Sequence, residues 1–295
     1  MDLHRLRVLL ELCRLGSMSA VAEAMHTSTS TVSQQIATLA REAGTPLVEP
    51  VGRRVRLTPA GRRLADHAVT ILAAVDAARL DLDPEAEPSG AVRVAGFATA
   101  IRRTLLPAVA DLAVTHPGVE VRIHEYEPLE SLDLITADEV DLALVYDYNL
   151  APLSVNDEVA LRPLWEVPWG LGVPGGEPAT GRRTPRTTDL SEFADSDWIV
   201  NSRNTADEEV VRTLASLVGF TPRVVHRIDS LELVEDLIDG GRGVGVLPLD
   251  YPATRQVRVL PLADPGAALR AFAVVRRGRE AWPPLRLVLD RLAAD

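Results

Sequence analysis

The 295 residues are 46% hydrophobic with a net charge of −11, which supplies core for roughly two domains and excludes a largely disordered chain. A single cysteine, Cys13, rules out an intrachain disulfide and fits a reducing compartment. No apolar run approaches the ~20 residues of a membrane span and none follows a basic start, so the expectation is a soluble, cytoplasmic protein with no membrane partner.

Acidity speaks against nucleic acid as a partner, yet the charge is unevenly distributed. Residues 1–82 hold ten Arg against eight acids, whereas residues 83–295 hold 21 Arg against 34. Arg53, Arg54 and Arg56 crowd into the less acidic part, as in an anion-binding module joined to an acidic body.

In chain order, residues 2–15 place Leu6, Leu9, Leu10 and Cys13 on one helical stripe, with Gly16 as its stop. Ser17 and Ser19 are N-cap candidates for a short helix through Met25, with Ala20, Val21 and Ala24 inward. After a break at His26 and Thr27, a third helix from about Thr29 to Glu42 turns Val32, Ile36 and Leu39 inward, and Gly44 ends it. Residues 46–52 and 53–58 follow, the second segment alternating basic and apolar as a half-exposed strand does. Pro59 opens a long helix to about Leu82. Its stripe is Leu64, Ala68, Ile71, Val75, Ala78 and Leu82, which either packs on its own domain or, as favoured here, meets a second copy of the chain.

Residues 83–90 form an acidic, Pro-rich linker. Strands then alternate with helices: 91–95, a helix of about 101–115, 119–123, a helix near 130–137, and 141–145. That order predicts a parallel sheet covered on both faces. A second group runs from a strand at 164–173 through 198–200, a helix near 207–218, 223–228, a helix of about 231–238 and 243–247. Late strands at 257–260 and 270–275 and a helix at 284–292 close the chain, and residues 174–189 read as a surface loop.

The third helix is unusual on its outer face. Thr29, Ser30, Ser33, Gln34 and, less squarely, Gln35 stand where surface helices usually carry Glu and Arg. Short hydroxyls and amides both donate and accept, so they suit base edges in a major groove, and the helix before a tight turn makes a helix-turn-helix. A Ser/Thr-rich cap on an ordinary core helix is the plainer alternative. Arg53, Arg54 and Arg56 suit phosphate oxygens; a charge-protected edge strand is their plainer alternative. The basic segment following so soon after the helix favours nucleic acid for both.

These residues carry a resemblance. Leu6, Gly16-Ser17, Ala22, Ala24, Ser28, Val32 to Ile36, Leu39, Gly44 to Leu47 and Arg53 to Gly61 resemble the winged helix-turn-helix of LysR-type transcriptional regulators, and Leu57-Thr58-Pro59-Ala60-Gly61 is its most specific stretch. Later matches are Leu105 to Pro107, Pro117 to Val119, Asp141 to Ala143 and Gly243 to Pro248. The fold class this implies is α/β: an N-terminal winged helix-turn-helix at 1–58, a linker and dimerisation helix at 59–89, and a two-lobed, periplasmic-binding-protein-like effector domain at 90–295. Lobe I is expected at 90–163 and 269–295, lobe II at 164–268. Double-stranded DNA, a small-molecule effector and a homodimer, with a homotetramer as the further assembly, are the implied partners. Ser28, Thr29, Ser30, Thr31, Ser33, Gln34, Gln35, Arg53, Arg54 and Arg56 are the expected DNA contacts. Two departures stand out: Val48-Glu49-Pro50 replaces a common Phe-x-Arg, and Thr29-Ser30-Thr31 replaces a common Gln-Pro-Ala.

In open parallel sheets ligands sit beyond the carboxyl ends of the strands, near helix N-termini. Phe97, Ala98, Thr99 and Ala100 follow the first strand, Tyr146 and Asp147 the third, Asn201, Ser202 and Arg203 the strand at 198–200, and Asp229 the strand ending at Ile228. Thr99, Asn201, Ser202 and Arg203 suit a small carboxylate, with Phe97 or Tyr146 on its apolar part, while Asp147 and Asp229 leave room for a cationic or hydroxylated effector. Residues 240–245 are Gly-rich but lie after a helix and before a strand, the wrong side for a phosphate loop. The six His show no metal spacing, no cofactor is implied, and no Gly-x-Ser-x-Gly elbow or Cys/His pair marks an enzyme. The alternative function is a DNA-binding protein whose α/β body takes no ligand.

Overall fold

A computed structural model of the chain describes residues 1–51, 54–83, 86–175, 187–203, 205–252 and 255–293. Three helices open it: α1 (Leu3–Leu15), α2 (Met18–Ala24) and α3 (Thr29–Ala43). Each has a side-chain cap, Asp2 accepting from the His4 and Arg5 amides, Ser17 from Ala20 and Ser28 from Thr31. Gly16 and Gly44 end α1 and α3 at φ +67° and +69°, the left-handed conformation that glycine adopts without a Cβ penalty. Leu6, Leu9, Val21, Val32, Ile36 and Leu39 meet in one core. In α2 the inward alanine is Ala22, buried, while the expected Ala24 is exposed. A two-stranded antiparallel wing, β1 (Val48–Val51) and β2 (Arg54–Leu57), follows.

Helix α4 (Pro59–Leu82) has a second row beside the expected stripe. Its buried residues are Gly61, Ala65, Ala68, Val69, Leu72 and Ala73, a row of mostly small side chains that lets α4 lie close on α1. Of the expected stripe only Ala68 belongs to that row. Leu64 and Val75 are half-buried, Ala78 is exposed, and Ile71 and Leu82 are 38% and 85% exposed. The helix therefore has two apolar faces, one used within the chain and one turned outward.

The remaining elements are β3 (Gly90–Gly96), α5 (Ala98–Ala100) running through a π turn at Ile101–Leu105 into α6 (Leu106–Thr115), β4 (Val119–Glu125), α7 (Pro128–Thr136), β5 (Leu142–Tyr148) and β6 (Val159–Pro174). After them come β7 (Asp197–Val200), α8 (Ala206–Leu217), β8 (Arg223–Arg227), α9 (Leu231–Asp239), β9 (Val244–Pro248), β10 (Val257–Pro261), β11 (Ala267–Arg276) and α10 (Pro283–Leu292). The strands form one sheet in the order β4-β3-β5-β11-β6-β9-β7-β8, with β10 paired to β6. Strand β3 is parallel to β4 and β5, and β7 is parallel to β8 and β9, so each lobe has its own parallel set.

Strands β6 and β11 join the two sets as one antiparallel ribbon from Val159–Arg276 to Trp169–Ala267. Both are longer than expected: residues 160–166 of β6 are half-buried or exposed and show no apolar period, while β11 begins three residues early with an alternating buried and half-buried stretch. Positions 163/164 and 268/269, where the lobes are expected to part, fall inside these strands. Of the loop expected at 174–189, residues 176–186 lie outside the described residues. Residues 240–243 are the turn from α9 into β9, which begins at Val244, with the Gly240 and Arg242 amides donating to Asp236 and Leu237 carbonyls.

The α/β body meets α4 through the end of β11. Arg276, only 7% exposed, pairs with Asp66 of α4 and lies 3.7 Å from Asp138, itself 6% exposed. Beside it Asp141 takes a bidentate bond from Arg93 and a further one from Arg279 at 2.9 Å. The Thr70 hydroxyl donates to the Arg277 carbonyl at 3.4 Å. Gly278 sits at φ +84° directly under Thr70, where a Cβ would lie 2.0 Å from its Oγ1.

Candidate nucleic-acid interface and ligand cleft

The N-cap at Ser28 aims the first turn of α3 into solvent. Thr29, Ser30, Ser33 and Gln34 are exposed there, an outward surface of neutral hydrogen-bonding groups. Three of the expected contacts are differently engaged. Ser28 caps the helix, its Oγ 2.8 Å from both Ser30 Oγ and Thr31 Oγ1, so Ser28 and Thr31 hold the helix end together. Gln35 turns back to α1, where its Oε1 accepts from Arg5 Nε at 3.1 Å. On the wing, Arg56 is 65% exposed and pairs with Glu49 across the strands at 2.6 Å. An exposed pair of this kind is worth about 0–1 kcal/mol, so a phosphate competes with it readily. Arg53 and the side chain of Arg54 lie outside the described residues.

The motif that ends the wing has a mechanical explanation. The Thr58 hydroxyl donates to the Pro46 carbonyl at 2.7 Å and accepts from the Gly61 amide at 3.0 Å, capping α4 and pinning it to the wing. A Cβ on Gly61 would lie 2.1 Å from the Leu47 carbonyl oxygen, so only glycine lets helix and wing approach this closely.

In the body, a cavity of about 760 Å³ opens at the carboxyl ends of strands from both lobes, a volume typical of small-molecule sites. Phe97, Ala98, Thr99, Tyr146, Asn201 and Asp229 line it as the sheet rule expects. Ala100 does not; it is fully buried in the core behind. Asp147 is also turned away. It takes a bidentate bond from Arg270, both contacts 2.8 Å, and the Leu153 amide at 2.8 Å, which makes it a fastening between β5, β11 and the following loop.

Ser202 and Arg203 are corrections as well. The Ser202 amide and hydroxyl and the Arg203 Nε all donate to Asp229. Arg203 further faces Glu130 at 3.5 Å and Glu127 at 3.8 Å, residues of the opposite lobe. With three carboxylates around it, Arg203 latches the lobes rather than offering a free guanidinium. Burial pushes the Asp229 carboxyl up, but the bonds from Ser202 and Arg203 outweigh it and hold the group below its ordinary range.

Several cleft residues escaped the sequence reading. Glu127 lies just beyond the carboxyl end of β4, where the same strand-end rule finds it once α7 is seen to begin at Pro128; Glu130 folds back to its amide at 3.0 Å. Burial pushes Glu127 up to about 7, with Asp229 and Asp207 adding to the shift and the Tyr146 hydroxyl (3.1 Å) and Arg203 easing it. Asp207, in the first turn of α8, is pushed up to about 6 by burial. Trp165 carries the Arg103 guanidinium on its face at 4.6 Å and donates to Thr104 at 2.8 Å. Asp207 and Trp165 have no local pattern that distinguishes them from ordinary helix and strand residues.

Among the described residues no helix is long and apolar enough to cross a membrane. The family model described as LysR substrate binding domain matches residues 85–295, and that described as bacterial regulatory helix-turn-helix protein, lysR family, matches residues 3–62. The chain is 26% identical over 250 residues to the transcriptional dual regulator GltC of Bacillus subtilis, covering 84% of this chain and 81% of that protein. It is 28% identical over 291 residues to a probable hydrogen peroxide-inducible genes activator of Streptomyces viridosporus, covering 90% and 88%. Full-length OxyR from Pseudomonas aeruginosa, a variant, shares the fold with a TM-score of 0.71 at 20% identity, covering 100% of this chain and 98% of that one. HinK from the same species gives 0.59 at 20% identity, covering 99% and 97%. A capped helix-turn-helix with a glycine-docked wing, joined to a two-lobed α/β body with a cleft, thus matches the family models along nearly the whole chain, and the protein belongs to the LysR family of transcriptional regulators.

Proposed function

We propose that this regulator reads an operator through Thr29, Ser30, Ser33 and Gln34 of α3, with Arg53, Arg54 and Arg56 on phosphates, and that a small molecule in the inter-lobe cleft sets its activity. The observation that carries the reading is the pairing of an uncharged, exposed α3 face with a cavity of about 760 Å³ in the same chain. Strand β11 supports a route between them: Leu269 lines the cavity, and Arg276 at the other end of the strand holds Asp66 of α4. A ligand that binds two lobe arrangements unequally shifts the balance between them, and β11 carries that difference to α4. The outward positions Ile71, Val75, Ala78 and Leu82 support a homodimer joined along α4, with a homotetramer as the further assembly.

Some relatives are named for induction by hydrogen peroxide. These 295 residues hold one cysteine, Cys13 on α1, and burial pushes its thiol above the ordinary value, with Asp138 and Asp66 adding to the shift and Arg276 opposing it. A half-buried thiol held above its ordinary value is a weak nucleophile, which favours a reversibly bound ligand over thiol oxidation.

The test is binding of the full chain to its own upstream DNA at several salt concentrations. Replacing Arg53 and Arg54 with Ala should weaken binding to all sequences alike and lower the salt slope by about 2. Replacing Gln34 with Ala should instead change discrimination between operator variants. Loss of discrimination in the double Arg variant with overall affinity intact would overturn the assignment.

A further inference from the structure

The cleft's chemistry narrows what it takes. One wall carries the rings of Trp165, Phe97, Tyr146 and Trp169, with Trp165 to Phe97 at 6.2 Å between centroids and Phe97 to Tyr146 at 4.7 Å; the fully buried Tyr148 backs them, 6.0 Å from Tyr146 and 5.5 Å from Trp169. Such a row fits a flat apolar frame. The polar groups around it are strongly biased to one sign. Among the described residues seven carboxylates line the cavity against two guanidinium groups, Arg102 and Arg103. Arg102 is paired with Glu232 at 3.1 Å, and Arg103 lies at the far end of the row, over Trp165.

Two of the carboxylates stand beside the middle rings, Glu127 at Tyr146 and Asp207 at Tyr148. Glu127 accepts from Tyr146, and its nearest guanidinium, Arg203, is 3.8 Å away and closer to Asp229 and Glu130. The Asp207 Oδ1 is out of contact with water and has no hydrogen-bond partner among the described residues; the Tyr148 hydroxyl beside it lies outside bonding geometry. A buried acceptor left in this state costs free energy until a donor arrives. A carboxylate ligand would bring a further negative charge to this end of the cleft, whereas an ammonium brings donors and the missing charge together.

We propose that the effector is a protonated amine on a flat apolar or aromatic frame, the frame lying on the Phe97 and Tyr146 rings and the ammonium held between Glu127 and Asp207. The proposal rests on the reading of the cleft as the effector site. Ring faces next to the ammonium add cation–π attraction, and the Arg103 end leaves space for a polar substituent on the frame.

Protonation supplies a second signature. Glu127 is faced by Tyr146 from β5, by Arg203 and Asp229 from the opposite lobe, by Asp207 from α8 and by Glu130 of its own helix; Asp207 is faced by Tyr148 and Asp229. Both acids titrate near neutrality in the free cleft, and an ammonium pulls both down, so binding releases protons and tightens as pH rises towards neutrality.

The experiment is calorimetry on the full-length protein with matched probes: tryptamine and phenethylamine, indole-3-acetate and 3-phenylpropionate, and neutral indole. The amines should bind about tenfold more tightly than the matched carboxylates near pH 7.5 and weaken about fivefold near pH 5.5. Glu127→Gln and Asp207→Asn, each checked for a cooperative melt, should each cost amine binding about tenfold and leave indole unchanged. Tighter binding of the carboxylates would overturn the amine and leave the cleft reading standing. Amine binding that neither substitution weakens would also overturn it. Failure of every probe to bind would remove both readings.

Discussion

Asp66 and Arg276 are expected to lock the DNA-reading half to the effector body, and the two residues are unequal in a way that can be measured. Arg276 is 7% exposed and Asp66 41%. Two unit charges about 4 Å apart at an effective dielectric of about 20 attract by roughly 4 kcal/mol, but a pair fully in water is worth about 0–1 kcal/mol. With one partner buried and one two-fifths exposed, Asp66→Ala should cost about 1–2 kcal/mol of docking, since Arg276 keeps Asp138 at 3.7 Å. Arg276→Met should cost more, about 3 kcal/mol, because it also strips the buried Asp138 of a partner. Hydrogen exchange reads this locally: amides in residues 66–73 and 277–282 should exchange about 5–30 times faster in Asp66→Ala. In the double variant the two effects should fall short of additivity by about 1 kcal/mol. Unchanged exchange in Asp66→Ala, or additivity within about 0.3 kcal/mol, would refute the lock.

Gly61→Ala should destabilise the N-terminal part by about 2–3 kcal/mol, because its Cβ would meet the Leu47 carbonyl at 2.1 Å and the α4 backbone cannot retreat; urea unfolding with a wild-type midpoint would contradict this. Ile71→Asp places a charge in the outward stripe of α4, where Ile71 is 38% exposed; sedimentation should show monomer with an unchanged melting temperature, and an intact dimer would count against α4 as the seam. The ligand-free protein should lose stability with rising pH through Glu127. Its folded value of about 7 lies above the ordinary 4.5, so the folded chain holds more protons than the unfolded one; this contribution is complete below about 4.5 and lost as pH rises through about 7. Melting temperatures of Glu127→Gln should lack that part of the slope, and an identical pH profile would show that Glu127 does not titrate as described.

What the residue order settled is local. Ser28 caps α3, Gly16 and Gly44 end helices at positive φ, and Thr58, Pro59 and Gly61 start α4, each through contacts within a few residues or with the adjacent wing. Strand-end placement likewise brought Phe97, Thr99, Tyr146, Asn201 and Asp229 to one cavity, because a parallel sheet leaves its carboxyl-end loops on one side.

Long-range pairing was decided only in three dimensions. Arg203 reads as an anion holder until Glu127, Glu130 and Asp229 are seen around it. Asp147 reads as a ligand group until Arg270, 123 residues on, closes over it. The same holds for the two faces of α4, whose 3.6-residue period records that apolar stripes exist but not which one is covered. Helix periods, caps and turns depend on neighbours along the chain, so the order of residues specifies them. A charge or an apolar stripe takes its role from whatever the fold sets against it, and for Asp66 and Arg276 that partner lies 210 positions away.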